Sequence, residues 1–218
     1  MAKTLIAVPC FDMVHADFME SLVNLQRPEG TYFTTVRNTL IYIARNIIAG
    51  GAYENGFERI MWLDSDMKIP PDAIVKLSAD MDKGLDFVSG LYFTRRLPTI
   101  KPVVYSSLSW ENKDGNVITS AENYWNYPEG LFECAATGFG CCMTSVDLVR
   151  RVGERFGAPF TPIEGLGEDL SFCYRVIQLG EKMYCDSSVK CGHVGMMEFN
   201  EEYYKQQGGI PNDEQRKG

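Results

Sequence analysis

The sequence contains no Cys-x-x-Cys pair, no Gly-x-Gly-x-x-Gly stretch, no long apolar run and no excess of positive charge. Each absence removes a class of protein. Without paired Cys-x-x-Cys spacing a structural zinc site is not expected. Without a glycine fingerprint after the first apolar segment, a standard dinucleotide-binding fold is not expected either. No segment approaches the ~20 apolar residues of a membrane span. The run Leu5-Ile6-Ala7-Val8 is too short for a signal-peptide core and is closed by Pro9. Lys and Arg number 21 against 29 Asp and Glu, a net charge of −8, which argues against general nucleic-acid binding. A local basic pocket for an anionic ligand remains compatible with it. Seven cysteines is an odd count, with Cys141 and Cys142 adjacent, so reduced thiols in a cytoplasmic protein are expected.

What the chain does have centres on Ile60-Met61-Trp62-Leu63-Asp64-Ser65-Asp66. A strand ending at Asp64 releases two acids, one residue apart, at its carboxyl end, where open α/β sheets bind ligands. Carboxylate oxygens suit a hard divalent ion that bridges protein and phosphate. Read alone, the same two acids fit turn-formers before Pro70-Pro71 better than a metal site.

The 218 residues are enough for one well-cored domain. In chain order, Thr4–Val8 reads as a buried strand and 17–25 as a helix, with Arg27-Pro28-Glu29-Gly30 as a breaker. Apolar positions Val36, Leu40, Ile43, Ala44, Ile47 and Ile48 repeat at helical spacing, predicting a helix over 34–49 capped by Gly50-Gly51. Arg37, Asn38, Arg45 and Asn46 fall off that stripe and read as a solvated face. Ile60–Leu63 is a strand, Pro70-Pro71-Asp72 opens a helix, and 86–92 is a third strand. This alternation predicts a parallel sheet covered by helices. Lys113-Asp114-Gly115-Asn116 marks a hairpin. The aromatics Trp110, Tyr124, Trp125, Tyr127 and Phe132 suit either sugar stacking or the plugging of loops. A glycine-bearing loop, 137–140, leads into a small-residue strand. A short helix over 146–152 follows, then a helix beginning near Glu168-Asp169 and stopped by Gly180. Residues 184–189 read as the last strand, with His193 beyond it, and 198–207 as a weak helix.

Four pieces, in order, resemble the GT-A fold of nucleotide-sugar-dependent glycosyltransferases, in particular its family-2-like members. They are Val8-Pro9 after the first strand, Asp64-Ser65-Asp66, the Gly138 loop, and Gly167-Glu168-Asp169 with Gly180, Asp186 and His193 downstream. The resemblance runs from Leu5 to Val194. It implies a single α/β domain over 1–207, with a Rossmann-like, mostly parallel central sheet flanked by helices and a small antiparallel element. Residues 208–218 are then a polar, disordered tail. It further implies a hexosyltransferase-type activity that moves a sugar from a UDP- or GDP-sugar to a hydroxyl of a carbohydrate or another acceptor. Asp66 and His193 become ligands of Mn²⁺ or Mg²⁺, with Asp64 on the metal or the ribose. Imidazole favours Mn²⁺. Pro9, Arg45, Ser65 and Gly138 become nucleotide-sugar contacts. Asp169 becomes the general base of an inverting transfer, kept ionised but weak by its helix N-terminus, and Glu168 orients the acceptor or its loop.

Two rivals share these residues. One is a non-catalytic nucleotide-sugar or glycan-binding module, which would have no need of the acids and the histidine. The other is a nucleotidyltransferase, which usually carries a basic glycine-rich loop where this chain has Pro9-Cys10-Phe11-Asp12. Modified DNA stays open as an acceptor through Arg95, Arg96 and Lys101.

Overall fold

The apolar run after Lys3 folds as the strand it spells. A computed structural model describes residues 2–195, 198–206 and 208. Its first half alternates: β1 (Thr4–Pro9), α1 (Ala16–Asn24), β2 (Thr31–Val36), α2 (Ile41–Glu54), β3 (Arg59–Leu63), the two-residue β4 (Met67–Lys68), α3 (Ala73–Met81) and β5 (Phe87–Leu91). The second half opens with the long hairpin β6 (Val104–Lys113) and β7 (Asn116–Asn123). It continues with β8 (Leu131–Cys134), β9 (Ala136–Thr137), β10 (Cys141–Ser145), α4 (Val146–Phe156) and α5 (Glu168–Gln178). It closes with β11 (Met183–Lys190), β12 (Gly192–Val194), β13 (Glu198–Phe199) and α6 (Glu201–Gln206).

Seven strands form the central sheet in the order β2-β1-β3-β10-β5-β11-β8. The strands β1, β2, β3, β5 and β11 run one way, and β10 and β8 run against them. The sheet is therefore mixed but mostly parallel, as expected, with two small antiparallel sheets beside it. Among the described residues no helix is long and apolar enough to cross a membrane. Of the polar tail expected from residue 208, all but Gly208 lies outside the described residues.

Both faces of β3 are buried, which explains its uninterrupted apolar run. Ile60 and Trp62 enter one core with Phe139, Phe160 and Phe172, while Met61 and Leu63 enter the other with Ile6, Val8 and Leu77. Trp62 lies edge-on to Phe160 at 5.1 Å and to Phe139 at 6.0 Å. Its indole N–H donates to Thr144 Oγ1 at 3.0 Å, so the large ring is buried without an orphaned polar atom.

The expected helix over 34–49 divides in two. Thr31-Tyr32-Phe33-Thr34-Thr35-Val36 pairs in parallel with β1 as an edge strand, and the helix begins only at Ile41. The β-branched and aromatic residues win there, and Asn38 at φ 58° breaks the chain between strand and helix. Gly50 and Gly51 lie inside α2, which runs on to Glu54; Gly56 at φ 65° is where the chain turns away. Two strands follow β11, so 184–189 is not the last strand.

The hairpin turn at Asp114-Gly115 takes the left-handed conformation at both positions, φ 53° and 85°, as a two-residue turn with the right twist requires. The aromatic residues around it close loops. Trp110 donates its N–H to the Glu164 carbonyl at 2.8 Å, and Tyr124 lies edge-on to Phe132 at 5.3 Å.

Truncating Trp62 to alanine opens a large cavity between both halves of the aromatic core. An equilibrium urea titration should show a loss of about 3–5 kcal/mol. A loss under about 1 kcal/mol would contradict the central role given to this ring.

Candidate active site at the end of strand β3

Leu63 ends β3 and the chain turns at once. The Asp64 N–H donates to the Gly140 carbonyl at 3.0 Å, and the Met67 N–H donates back to the Asp64 carbonyl at 3.3 Å. Asp64-Ser65-Asp66 is therefore both a turn and a pair of acids presented to a crevice. The two carboxylates have separate partners.

Asp64 is met by Arg45, whose Nη2 lies 2.8 Å from Asp64 Oδ1 and 3.7 Å from Glu168 Oε1. Arg45 is not on a solvated helix face: it is 1% exposed, with its guanidinium 4.8 Å over the Phe139 ring. Burial lowers the guanidinium pKa, but Asp64, Glu168 and Asp169 outweigh it and hold Arg45 above its ordinary value. The Asp64 carboxyl is pushed up to about 6, first by burial and then by Asp66, Glu168 and Asp169, although Arg45 pulls the other way. One buried cation thus serves three acids, Asp64, Glu168 and Asp169.

Asp66 turns toward the other wall. The pairing of β4 with β12 sets His193 opposite Met67, and the Val194 N–H donates to the Asp66 carbonyl at 2.8 Å. His193 Nδ1 lies 2.8 Å from the Phe93 carbonyl. A neutral ring donating there leaves the Nε2 lone pair free, and Nε2 lies 3.7 Å from Asp66 Oδ2. Asp66 Oδ2 also accepts an ion pair from Arg95 Nη2 at 2.8 Å. Asp66 Oδ1 is buried and has no hydrogen-bond partner among the described residues. Among those residues, no group of three or more His, Cys, Asp or Glu side chains converges as a metal cage.

Glu168 and Asp169 begin α5, whose N-cap is Gly167. Asp169 Oδ1 accepts the Leu170 N–H at 2.7 Å, as its helix-end position predicts. Its pKa nonetheless lies above the ordinary carboxylate value, because burial and then Glu168 outweigh that hydrogen bond. Burial therefore outweighs the helix N-terminus at this carboxyl. Gly138 sits behind the site. A Cβ there would come within 1.9 Å of the Tyr92 hydroxyl, and that hydroxyl accepts the Gly140 N–H at 3.2 Å.

Two cavities meet at Asp64 and Asp66. The smaller, about 410 Å³, is lined by Pro9, Phe11, Leu40, Ile41, Arg45 and Ser65 among others, with Glu168 at its inner end. The larger, about 870 Å³, is bounded by Asp169, His193, Tyr92, Tyr105 and the loop 94–101. The tertiary structure therefore brings together Pro9, Arg45, Asp64, Ser65, Asp66, Glu168, Asp169 and His193; Gly138 lines neither cavity. Sequence reading did not foresee Arg95 on Asp66 or Tyr92 and Tyr105 in the wall. The available signal was the Arg95-Arg96 pair just past the carboxyl end of β5.

No family model matches this sequence and no curated protein matches it. Many solved structures resemble it in fold. A197 from STIV superposes at a TM-score of 0.61 with 19% identity, over 88% of this chain and 86% of that one. GalNAc-T7, solved with UDP, GalNAc and Mn²⁺, superposes at 0.60 with 12% identity over 89% of this chain. The match takes in 44% of the GalNAc-T7 chain, so this chain spans less than half of its length. At such identities the likeness is one of fold: the chain has a GT-A-like α/β fold.

Replacing Arg45 by methionine should leave the acids unbalanced and cost about 3–5 kcal/mol at pH 8. Asp64 has a folded-state pKa of about 6, above its unfolded value, and the variant should raise it further. The ionised cluster is then penalised as pH rises through that interval. The cost at pH 5 should be smaller than at pH 8; equal losses at both pH values would rule out the electrostatic account.

Proposed function

We propose that this chain is a metal-dependent glycosyltransferase that moves a sugar from a nucleoside-diphosphate sugar to an acceptor hydroxyl. The observation that carries the reading is the orphaned, buried Asp66 Oδ1, on a carboxylate whose Oδ2 lies 3.7 Å from Nε2 of His193, a ring tied through Nδ1 to the Phe93 carbonyl. An unpartnered buried carboxylate oxygen is costly, and a divalent ion is a chemically suitable partner for it. Asp66 and His193 would hold that ion, Mn²⁺ by preference because imidazole is one of the two ligands. When bound, it would neutralise charge gathering on the departing diphosphate. GalNAc-T7, which shares the fold, was solved with UDP, GalNAc and Mn²⁺.

The residues of the chain divide the remaining work. The smaller cavity, with Pro9 and the exposed Phe11 and Leu40 at its mouth, offers apolar surface to a nucleobase. Asp64 and Ser65 face the ribose and diphosphate side of that cavity. Arg45 holds Asp64 in place from beneath. Across the larger cavity Asp169 accepts the proton of the acceptor hydroxyl as its oxygen bonds to the anomeric carbon. The bond from that carbon to the diphosphate breaks, and its electron pair leaves with the diphosphate. The pKa of Asp169, raised by burial, strengthens it as a base. Glu168, 3.7 Å from Arg45, steadies the start of α5. An inverting outcome follows from this assignment.

Asp66→Ala should lower sugar transfer by at least about a hundredfold and abolish its dependence on Mn²⁺. Transfer at the wild-type rate would sink the assignment. Asp169→Asn should bind the nucleotide-sugar in calorimetry yet fail to transfer it. In the wild type, turnover should fall on acidification with a midpoint above the ordinary carboxylate range.

A further inference from the structure

We propose that the acceptor is a phosphate ester whose phosphate is held by Arg96 while its hydroxyl faces Asp169. This rests on the transferase reading above and adds to it the chemical class of the second substrate.

The larger cavity carries both signs of charge. Its lining includes Asp64, Asp66 and Asp169 together with Arg95, Arg96 and Lys101 of the segment 94–101, where Arg95 meets Asp66. A chain with a net charge of −8 has here placed three cations within seven residues of one loop. That loop hangs from a fixed base. The Thr94 N–H donates to the Lys101 carbonyl at 2.8 Å, and the Lys101 N–H donates to Thr94 Oγ1 at 3.0 Å. Phe93 bridges Pro102 below it, and Ile100 is buried in the core. The side chains at its crest are therefore held over the cavity.

The cations are not equivalent. Arg95 is occupied by Asp66 and donates to the Val194 carbonyl at 2.9 Å. Arg96 is exposed, and no hydrogen bond or ion pair among the described residues engages its guanidinium. Its charge reaches Tyr105, which lines the same cavity. Arginine forks match tetrahedral oxyanions in a bidentate manner. In such a field an acceptor carrying an anion orients in one sense only, with its anion at 94–101 and its uncharged hydroxyl toward the carboxylates. The donor has its own cavity on the far side of Asp64 and Asp66, which leaves Arg96 to a second anion. A volume of about 870 Å³ accommodates a sugar phosphate or one nucleotide of a strand. Both sources share the same chemistry, a phosphate ester near a hydroxyl.

The test uses the full chain with Mn²⁺ and the nucleotide-sugar that stabilises it, and reads release of nucleoside diphosphate. Acceptors are offered in matched pairs: methyl hexosides against their phosphates, and 5-hydroxymethyldeoxycytidine against a short oligonucleotide containing it. The phosphorylated member of at least one pair should raise release tenfold or more over its neutral partner, and the responding pair identifies the source. Arg96→Ala should erase that preference, with Arg96→Lys restoring part of it. If no phosphorylated member exceeds its partner, the inference is overturned and the transferase reading stands on donor binding alone. A parallel fall in nucleotide-sugar affinity in Arg96→Ala, measured by calorimetry, would assign the arginine to the donor and also overturn it. Failure of the wild type to bind any nucleotide-sugar overturns both readings.

Discussion

The site depends on one buried guanidinium. Four carboxylates, Asp64, Asp66, Glu168 and Asp169, come from two distant parts of the chain, and their mutual repulsion opposes the fold that gathers them. Arg45 answers that repulsion from below, touching Asp64 and approaching Glu168 with its plane over Phe139. Its desolvation is costly and is offset only because the acids are there. Neither half of the arrangement is stable without the other, so the end of β3 and the start of α5 are held as a unit.

A second constraint acts on the opposite side. The strands β4 and β12 are only two and three residues long, yet their pairing decides which side chain faces Asp66. A shift of one residue in that register would turn His193 to the other face. The same pairing leaves Asp66 Oδ1 buried and unpartnered, while Asp66 Oδ2 is shared with Arg95. The polar chemistry of the site thus comes from short connections between elements, and its rigidity comes from the aromatic core around Trp62 behind them. Rigid strands with reactive ends are the usual division of labour in α/β sheets.

The ends of β1, β3 and β5, the helices α3 and α5, and the hairpin at Asp114-Gly115 were legible because each is written in adjacent residues. The stretch 31–49 was not. Val36 and Leu40 mimic helical spacing, while the pairing of Thr31–Val36 with β1 is a non-local fact that periodicity does not encode. Arg45 illustrates the same limit. Off the apolar stripe, an arginine reads as solvated, and only the arrival of Asp64, Glu168 and Phe139 makes burial tolerable. The basic residues Arg95, Arg96 and Lys101 were legible as a local patch despite the bulk acidity, but not the contact of Arg95 with Asp66.

The sequence by itself determined the alternating α/β character, the two acids at the end of a doubly buried strand, and the acids opening a late helix. These follow from short-range pattern: apolar runs, breakers and helix-start residues. Tertiary structure alone decided that Asp64 pairs with Arg45 and Asp66 with Arg95, that His193 faces Asp66, that Arg45 is a buried counter-ion, and that burial raises the pKa of Asp169. Each of these is an effect of distance and desolvation between residues far apart in the chain, and such effects exist only once the chain has folded.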